Sequence, residues 1–537
     1  MNNDNSASAA RSYDVIVVGA GMGGLYAVKR FRDQGLSVLG IEGAPDVGGV
    51  WYHNSYPGAR VDVESVAYSY QFDPELYREW KWKERYAAQP DLYAYFRHVA
   101  DRYDLRKDFR FSTWVTGARW DATTHRYTVE TDAGDEFEAR FLVMASGQLS
   151  KARKPQFPGL DDFAGVWLQT SDWPKEPVDL EGKRVAVIGT GSSGVQAITT
   201  IAKVASQLVV FQRTPNYVIP AQNRPMDPER HARISADVPA YQRLLESLPG
   251  GAEFPLDVGP AGELTPEQQQ QALEEHWAFG GHGMNRVFSD QGTNIESNEV
   301  VAEFIRNKVR ETVDDPETAE KLVPNAYPMG TRRIGVADGY YETFNRDNVT
   351  LVDVNEDPIE RITKDGIQTR STHYPFDVIV FALGFTAFTG ALDQAGIENE
   401  HGAHPTDNWK RGPRAYLGLM TAGFPNLFLL TGPGSPAVLT NMLSANVQHA
   451  DYVAELIQYM GEHGYDTVET TTEAEDEWLA HVAEVSEKLI RRRVSNYMAH
   501  FNDDGTQVFI PYPGGNQNYL RRIYDVRDAG YRGFVFS

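Results

Sequence analysis

The sequence predicts an α/β protein in which two strand–turn–helix–strand units are separated by a largely helical insertion. Near-duplicate segments begin at Tyr13 and Lys183, each a short apolar run followed at once by glycines. Two later apolar runs, Phe141–Gly147 and Asp377–Gly384, also end in glycine. Between Gln222 and Pro328 the pattern turns helical. A chain of 537 residues agrees with several units at about 150 residues per domain.

Taken in order, residues 1–12 are polar and small, without the apolar centre of a secretory signal, and are expected to be a disordered tail. Val15–Val18 is a β-branched run suited to a buried parallel strand. A helix reads through Leu25, Val28 and Phe31 to Gly35, and a second strand ends at Glu42. The copy from Lys183 repeats strand, turn, helix and strand, ending near Gln212. In the insertion, Thr265-Pro-Glu-Gln268 supplies an N-cap, a proline at the first helical position and a capping-box glutamine. Val300, Val301, Phe304, Ile305 and Val309 mark one helix face, and Asp315-Pro316-Glu317 opens another helix. The glycine-ended strands return to their sheets, so the units are expected to be discontinuous: 13–150 with 385–537, and 151–221 with 329–384, around an insertion at 222–328 lying over a site between them.

Each duplicate places G-x-G-x-x-G after a strand and before a helix, as Gly19, Gly21, Gly24 and as Gly189, Gly191, Gly194, with Ser192 and Ser193 between the last two. The first glycine permits a tight turn, the second lets a pyrophosphate approach the backbone, and the third lets helix and strand pack closely. The helix N-terminus then offers unpaired N–H groups to the phosphates. These are two dinucleotide-binding, Rossmann-like units. Glu42 lies 23 positions after Gly19, where a carboxylate hydrogen-bonds ribose hydroxyls and repels a 2′-phosphate. The same count from Gly189 reaches Gln212, followed by Arg213 and Thr214, and an arginine there pairs with a 2′-phosphate. The first unit therefore suits FAD and the second NADPH.

Composition narrows the chemistry. With 51 basic and 74 acidic residues the net charge is −23, which argues against nucleic acid or an anionic membrane as partner. There is no cysteine, so dithiol acceptors and thiolate metal sites are excluded. No apolar run reaches the roughly 18 residues of a membrane helix, and the expected compartment is the cytoplasm. A flavin fed by NADPH must then pass electrons to dioxygen or a soluble acceptor, which points to a flavin monooxygenase.

Gly48–Asp62, GGVWYHNSYPGARVD, resembles a motif of the type I Baeyer–Villiger monooxygenases. FAGVWLQTSDWP, Phe163–Pro174, matches a second signature of that family except that Gln169 replaces a histidine. Gly330–Ile334, Tyr416–Phe428 and Gly432–Met442 are also similar to this family, most of all to its phenylacetone monooxygenase branch. The resemblance implies FAD reduction by NADPH, oxygen addition at flavin C4a, attack of the peroxide on a ketone, and an ester or lactone product. It assigns Arg333 to stabilising the peroxide's negative charge, a task for a permanently charged guanidinium, and Asp62 to holding that guanidinium near the flavin. It also places Trp51 and Tyr68 around the flavin with Val50, Val115 and Met442, sets Arg332 beside Arg213 on the 2′-phosphate, and brings Gln148 to the nicotinamide end.

The chain departs from the family pattern at Gln169, at Ser55 in place of arginine, at Leu383 in place of threonine, and through Ser495–Thr506, where either Asn496 or Tyr497 takes a tryptophan's place. Arg491–Arg493 reads as a solvated helix face, with contact to a cofactor phosphate as the alternative. The 13 histidines show no ligand spacing, no metal site is expected, and His276 reads as a packing residue. The small-molecule partners implied are a ketone and dioxygen, in a monomer or homodimer. The same cofactors would also serve sulfur or nitrogen oxygenation, peroxide-releasing NADPH oxidation, or a non-enzymatic sensor of FAD and NADPH.

Overall fold

The computed structural model describes residues 11–537; most of the expected tail, residues 1–10, lies outside them. Arg11 and Ser12 are not tail. Both belong to the first strand, Arg11–Val18, because Arg11–Tyr13 find backbone partners in Phe137–Ala139.

Arg11–Val18 is the centre of an eight-stranded sheet, flanked in parallel by Val38–Ile41 and Glu136–Met144. Val38–Ile41 in turn pairs with Phe109–Arg110. On the other side the sheet continues through antiparallel Arg126–Thr131 and Val115–Asp121. Two late strands join it: Ile397–Glu398 on Val115–Asp121 and Leu427–Leu429 on Glu136–Met144. The helix Met22–Asp33 buries Leu25, Val28 and Phe31 completely, each contributing roughly 1.5–3 kcal/mol of burial. It packs on Met442–His463, where the Tyr26 hydroxyl and Arg30 Nε donate to Asp451 at 2.8 and 2.9 Å.

The second sheet has five parallel strands in the order Val349–Asp353, Gln207–Gln212, Arg184–Ile188, Val378–Phe381, Val166–Gln169. Its three inner strands are buried apolar runs, as expected where helices and loops cover both faces. Each glycine turn therefore leaves the carboxyl end of a central strand, where open α/β sheets bind ligands.

Residues 222–328 contain five α-helices, among them Pro266–Phe279, Ile295–Thr312 and Pro316–Leu322. The first opens with the capping box read from the sequence: Thr265 Oγ1 accepts from Gln268 N–H, and Gln268 Oε1 from Thr265 N–H at 2.9 Å. The last is capped by Asp315, which accepts from Thr318 N–H at 2.9 Å. No helix among the described residues is long and apolar enough to cross a membrane.

Candidate active site

The two glycine turns are built alike. Gly19 and Gly189 both take φ 109°, and a Cβ at either would strike the carbonyl oxygen of Ala145 or Ala382 at 2.6 and 2.5 Å. A Cβ at Gly24 or Gly194 would lie 1.8 or 2.1 Å from the oxygen of Gly19 or Gly189. Those four glycines are demanded by the protein's own packing. Gly191 is different: its backbone is extended and nothing lies within 4 Å of a Cβ placed there. Space kept open beside the N-terminus of a helix suits a pyrophosphate, which needs close approach to the backbone.

The helices Met22–Asp33 and Ser192–Ile201 begin after Gly21 and Gly191, with no side-chain cap and no acidic residue in the first turn. Their leading N–H groups are left for a ligand. Ser192 and Ser193 are the first two residues of the second helix.

Beyond the first turn, Glu42 is buried and braces the turn itself, its carboxylate accepting from Ala20 N–H at 2.6 Å and Ala44 N–H at 2.7 Å. At the matching place in the second unit, Gln212 turns aside and donates to Lys321 O at 2.7 Å. Arg213 is exposed, and its guanidinium has no partner among the described residues. The Thr214 carbonyl accepts from Thr190 Oγ1 at 3.1 Å. Arg332 lies over the Tyr327 ring at 4.7 Å with its Nε buried and unpartnered, and the Tyr327 hydroxyl donates to Pro215 O at 2.8 Å. Tyr327 thus ties Arg332 to the loop that follows Arg213. This set of donors fits a 2′-phosphorylated dinucleotide, and the Glu42 side fits an unphosphorylated one.

Val50 and Trp51 open the short helix Val50–His53, whose N-cap Gly49 approaches Gly21 so closely that a Cβ on Gly49 would sit 2.8 Å from the Gly21 Cα. Trp51 meets Tyr68 edge to face at 6.0 Å and donates to its hydroxyl at 3.2 Å. Met442 starts the helix that packs on Met22–Asp33. Val115 stands apart: its side chain lies in the core with Ile41, Leu142 and Met144, so only its backbone is left for a cofactor. Gln148 donates to Thr431 O, while its Oε1 is buried without a partner, an acceptor waiting for a donor.

A cavity of about 500 Å³ lies under the helical segment and the 436–440 loop. Arg333 lines it and is tied to Asp62 by Nε–H to Oδ2 at 3.0 Å and Nη2–H to Oδ1 and Oδ2 at 2.8 and 2.7 Å; Nη1 donates to Val438 O at 3.0 Å. Burial works to raise the Asp62 pKa, but Arg333 and then His282 outweigh it and hold the carboxyl well below its usual range. Burial opposes the charge on Arg333 too, and Asp62 more than restores it, so the guanidinium is raised above its ordinary value. The pair stays ionised.

His282 escaped the sequence reading, and Arg491 departs from it. His282 Nε2 is 3.3 Å from Asp62 Oδ2 and 3.5 Å from Arg333 Nη2. A single histidine, 220 positions from its partner, leaves no spacing to notice. Arg491 is not on a solvated helix face. Ile490–Arg493 is one 3-10 turn, and Arg491 is half-buried and lines the cavity with Tyr497. Of the two candidates for the missing tryptophan, Tyr497 faces the cavity, whereas Asn496 holds its own loop by donating to Thr331 O and Val494 O at 3.1 and 2.8 Å.

The other departures are locally satisfied. Lys175 donates to Ser55 Oγ at 3.1 Å, so a lysine from another segment reaches the place of the family's arginine. Gln169 donates to Arg153 O at 2.9 Å, and Leu383 packs on an apolar cluster. His276 is buried with Nδ1 2.8 Å from Ala272 O, and its Nε2 has no partner.

Residues 12–229 match the family described as flavin-binding monooxygenase-like. A Baeyer–Villiger monooxygenase of Pseudooceanicola batsensis is 38% identical over 540 residues, spanning 100% of this chain and 98% of the relative. Among solved structures, an oxidized steroid monooxygenase bound to NADP is 47% identical with a TM-score of 0.93, covering 98% of this chain and 99% of that one. A complex of OTEMO with FAD and NADP is 36% identical with a TM-score of 0.94, over 98% and 100% of the two chains.

Proposed function

The chain belongs to the Baeyer–Villiger monooxygenases, and from that premise we infer that it converts ketones to esters or lactones using NADPH and dioxygen. When bound, FAD and NADPH supply the hydride relay and the activation of oxygen. The protein's part is electrostatic and positional. Negative charge on the reacting oxygen must survive until it meets the ketone carbonyl, and a fixed cation in a partly dehydrated cavity stabilises it.

Arg333 supplies that cation. Asp62 and Val438 take Nε, Nη2 and one N–H of Nη1, the Tyr497 hydroxyl lies close to the guanidinium, and the remaining Nη1 N–H would donate toward the reacting oxygen. Asp62 fixes the plane of the guanidinium by bidentate pairing and, remaining ionised, takes no proton from it. Gln148, with its unpaired Oε1, would meet the nicotinamide end, while Arg213 and Arg332 would hold the 2′-phosphate. Gly19, Gly21 and Gly24, with Glu42, Val50, Trp51, Tyr68, Met442 and the Val115 backbone, hold the flavin nucleotide. Gly189, Gly191, Ser192, Ser193, Gly194 and Thr214 hold the other.

The observation carrying this reading is the bidentate Arg333–Asp62 pair, with Arg333 on the cavity wall. Arg333→Ala tests it. Anaerobic reduction of bound FAD by NADPH should persist, while ketone oxygenation falls by about 10²–10³-fold, as for loss of one oxyanion donor. An Arg333→Ala protein that still forms ester at the parental rate removes Arg333 from the reaction.

A further inference from the structure

On a chain of net charge −23, the cavity is lined by four arginines: Arg286, Arg332, Arg333 and Arg491. Arg333 is paired with Asp62, and Arg332 is tied through Tyr327 to the loop after Arg213. Two remain. Neither Arg286 nor Arg491 has a hydrogen-bond or ion-pair partner for its side chain among the described residues, although both are half-buried. The one carboxylate on the cavity wall, Asp257, is exposed and pairs with neither.

Leaving a guanidinium half-buried and unpaired is costly, and proteins that keep one there offset the cost with an anion. Arg491 stands beside Tyr497 and within reach of the field of Arg333. Burial, and with it the like charge of Arg333, lowers its pKa, with Tyr497 opposing. Phe254, Phe288, Met329, Val438, Leu439 and Met498 give the wall an apolar part, beside polar residues such as Asn285 and Gln291. A hydrocarbon body would lie on that wall, with a negative group against Arg491 and a carbonyl toward Arg333.

We propose that the cavity selects ketones that carry a carboxylate, with Arg491, assisted by Arg286, as the residue that binds it. This rests on the Baeyer–Villiger reading of the same site and adds the charge class of its substrate. The planar fork of Arg491 matches a carboxylate bidentately.

The test uses a matched pair, 2-oxocyclohexylacetate and its methyl ester, on FAD-loaded, NADP⁺-bound protein. Calorimetry should show the acid binding at least tenfold more tightly than the ester, and turnover should show the same preference in kcat/KM. In Arg491→Leu the acid-over-ester ratio should fall roughly ten- to hundredfold, the range of a charge-assisted hydrogen bond. Arg491→Lys should restore part of it if charge is the cause. Equal binding of acid and ester by the parent protein overturns the proposal. So does an Arg491→Leu protein whose NADPH affinity collapses while the ratio holds, which would make Arg491 a nucleotide contact. Tight binding of the acid with turnover of neither compound would support the carboxylate site and count against the Baeyer–Villiger reading instead.

Discussion

Replacing Asp62 with alanine isolates the element on which the proposed chemistry depends. The substitution strips Arg333 of three contacts at 2.7–3.0 Å and leaves the Val438 carbonyl at 3.0 Å and the edge of His282 at 3.5 Å. Breaking a fully buried pair by removing one partner costs about 3–5 kcal/mol. Here the two side chains keep 31% and 22% of their surface exposed, so water recovers part of that and about 2–3 kcal/mol is the expected cost. Realised in the oxygenation step, that is roughly a 30- to 150-fold loss of rate, because the guanidinium no longer holds its plane against the reacting oxygen. The assay is a double-mutant cycle on the single-turnover rate of ester formation, with hydrogen peroxide counted separately. Asp62→Ala should shift product toward peroxide, and Asp62→Ala in an Arg333→Ala background should cost little further. A coupling energy of about 2 kcal/mol is predicted. Fully additive losses would show that the two residues act independently and refute the pair as a unit.

Two further substitutions probe the frame. Gly191→Ala places a methyl group where the protein has no atom within 4 Å. The variant should melt like the parent yet bind NADPH at least tenfold more weakly by fluorescence titration. Gly189→Ala, at φ 109° with its Cβ 2.5 Å from Ala382 O, should instead lower the melting temperature, and equal melting losses in the two variants would contradict the assignment of that space to a ligand. His449 is buried, accepts from Thr431 N–H at 3.0 Å through Nδ1, and meets the Tyr519 hydroxyl at 2.7 Å through Nε2. Burial lowers its pKa from 6.5 to about 4. The folded state therefore resists protonation that the unfolded chain accepts. Its contribution is complete above pH 6.5 and is lost as pH falls toward 4, by about 3 kcal/mol at 1.36 kcal/mol per unit. Urea titrations should show that loss in the parent and its absence in His449→Gln.

The frame was legible because its signals are local. A glycine turn between an apolar strand and a helix occupies a dozen residues, and Thr265-Pro-Glu-Gln268 is complete in four. The hairpin formed by Val115–Asp121 and Arg126–Thr131 was not legible. Its left-handed turn residue is His125, φ 54°, in place of the Asn-Gly or Asp-Gly pairs that announce such turns. The small antiparallel sheet at Ile359–Pro375 was missed too. At the site, the distance along the chain decided the matter. Asp62 and Arg333 are 271 positions apart, and only resemblance to a family joins them in advance. His282 belongs to no motif read in the sequence, and Arg491 reads there only as part of a charged run. Three consecutive arginines suggest a solvated surface until the chain is seen to turn beneath them, and a lone histidine means nothing until a carboxylate arrives from elsewhere.

The fate of dioxygen tests the proposed reaction most directly. Parent protein loaded with FAD should be given NADPH and a cyclic ketone under ¹⁸O₂, with the organic product read by mass spectrometry. The expected result is a lactone carrying one labelled oxygen for each NADPH consumed. Unchanged ketone, with the label recovered as hydrogen peroxide, would contradict it.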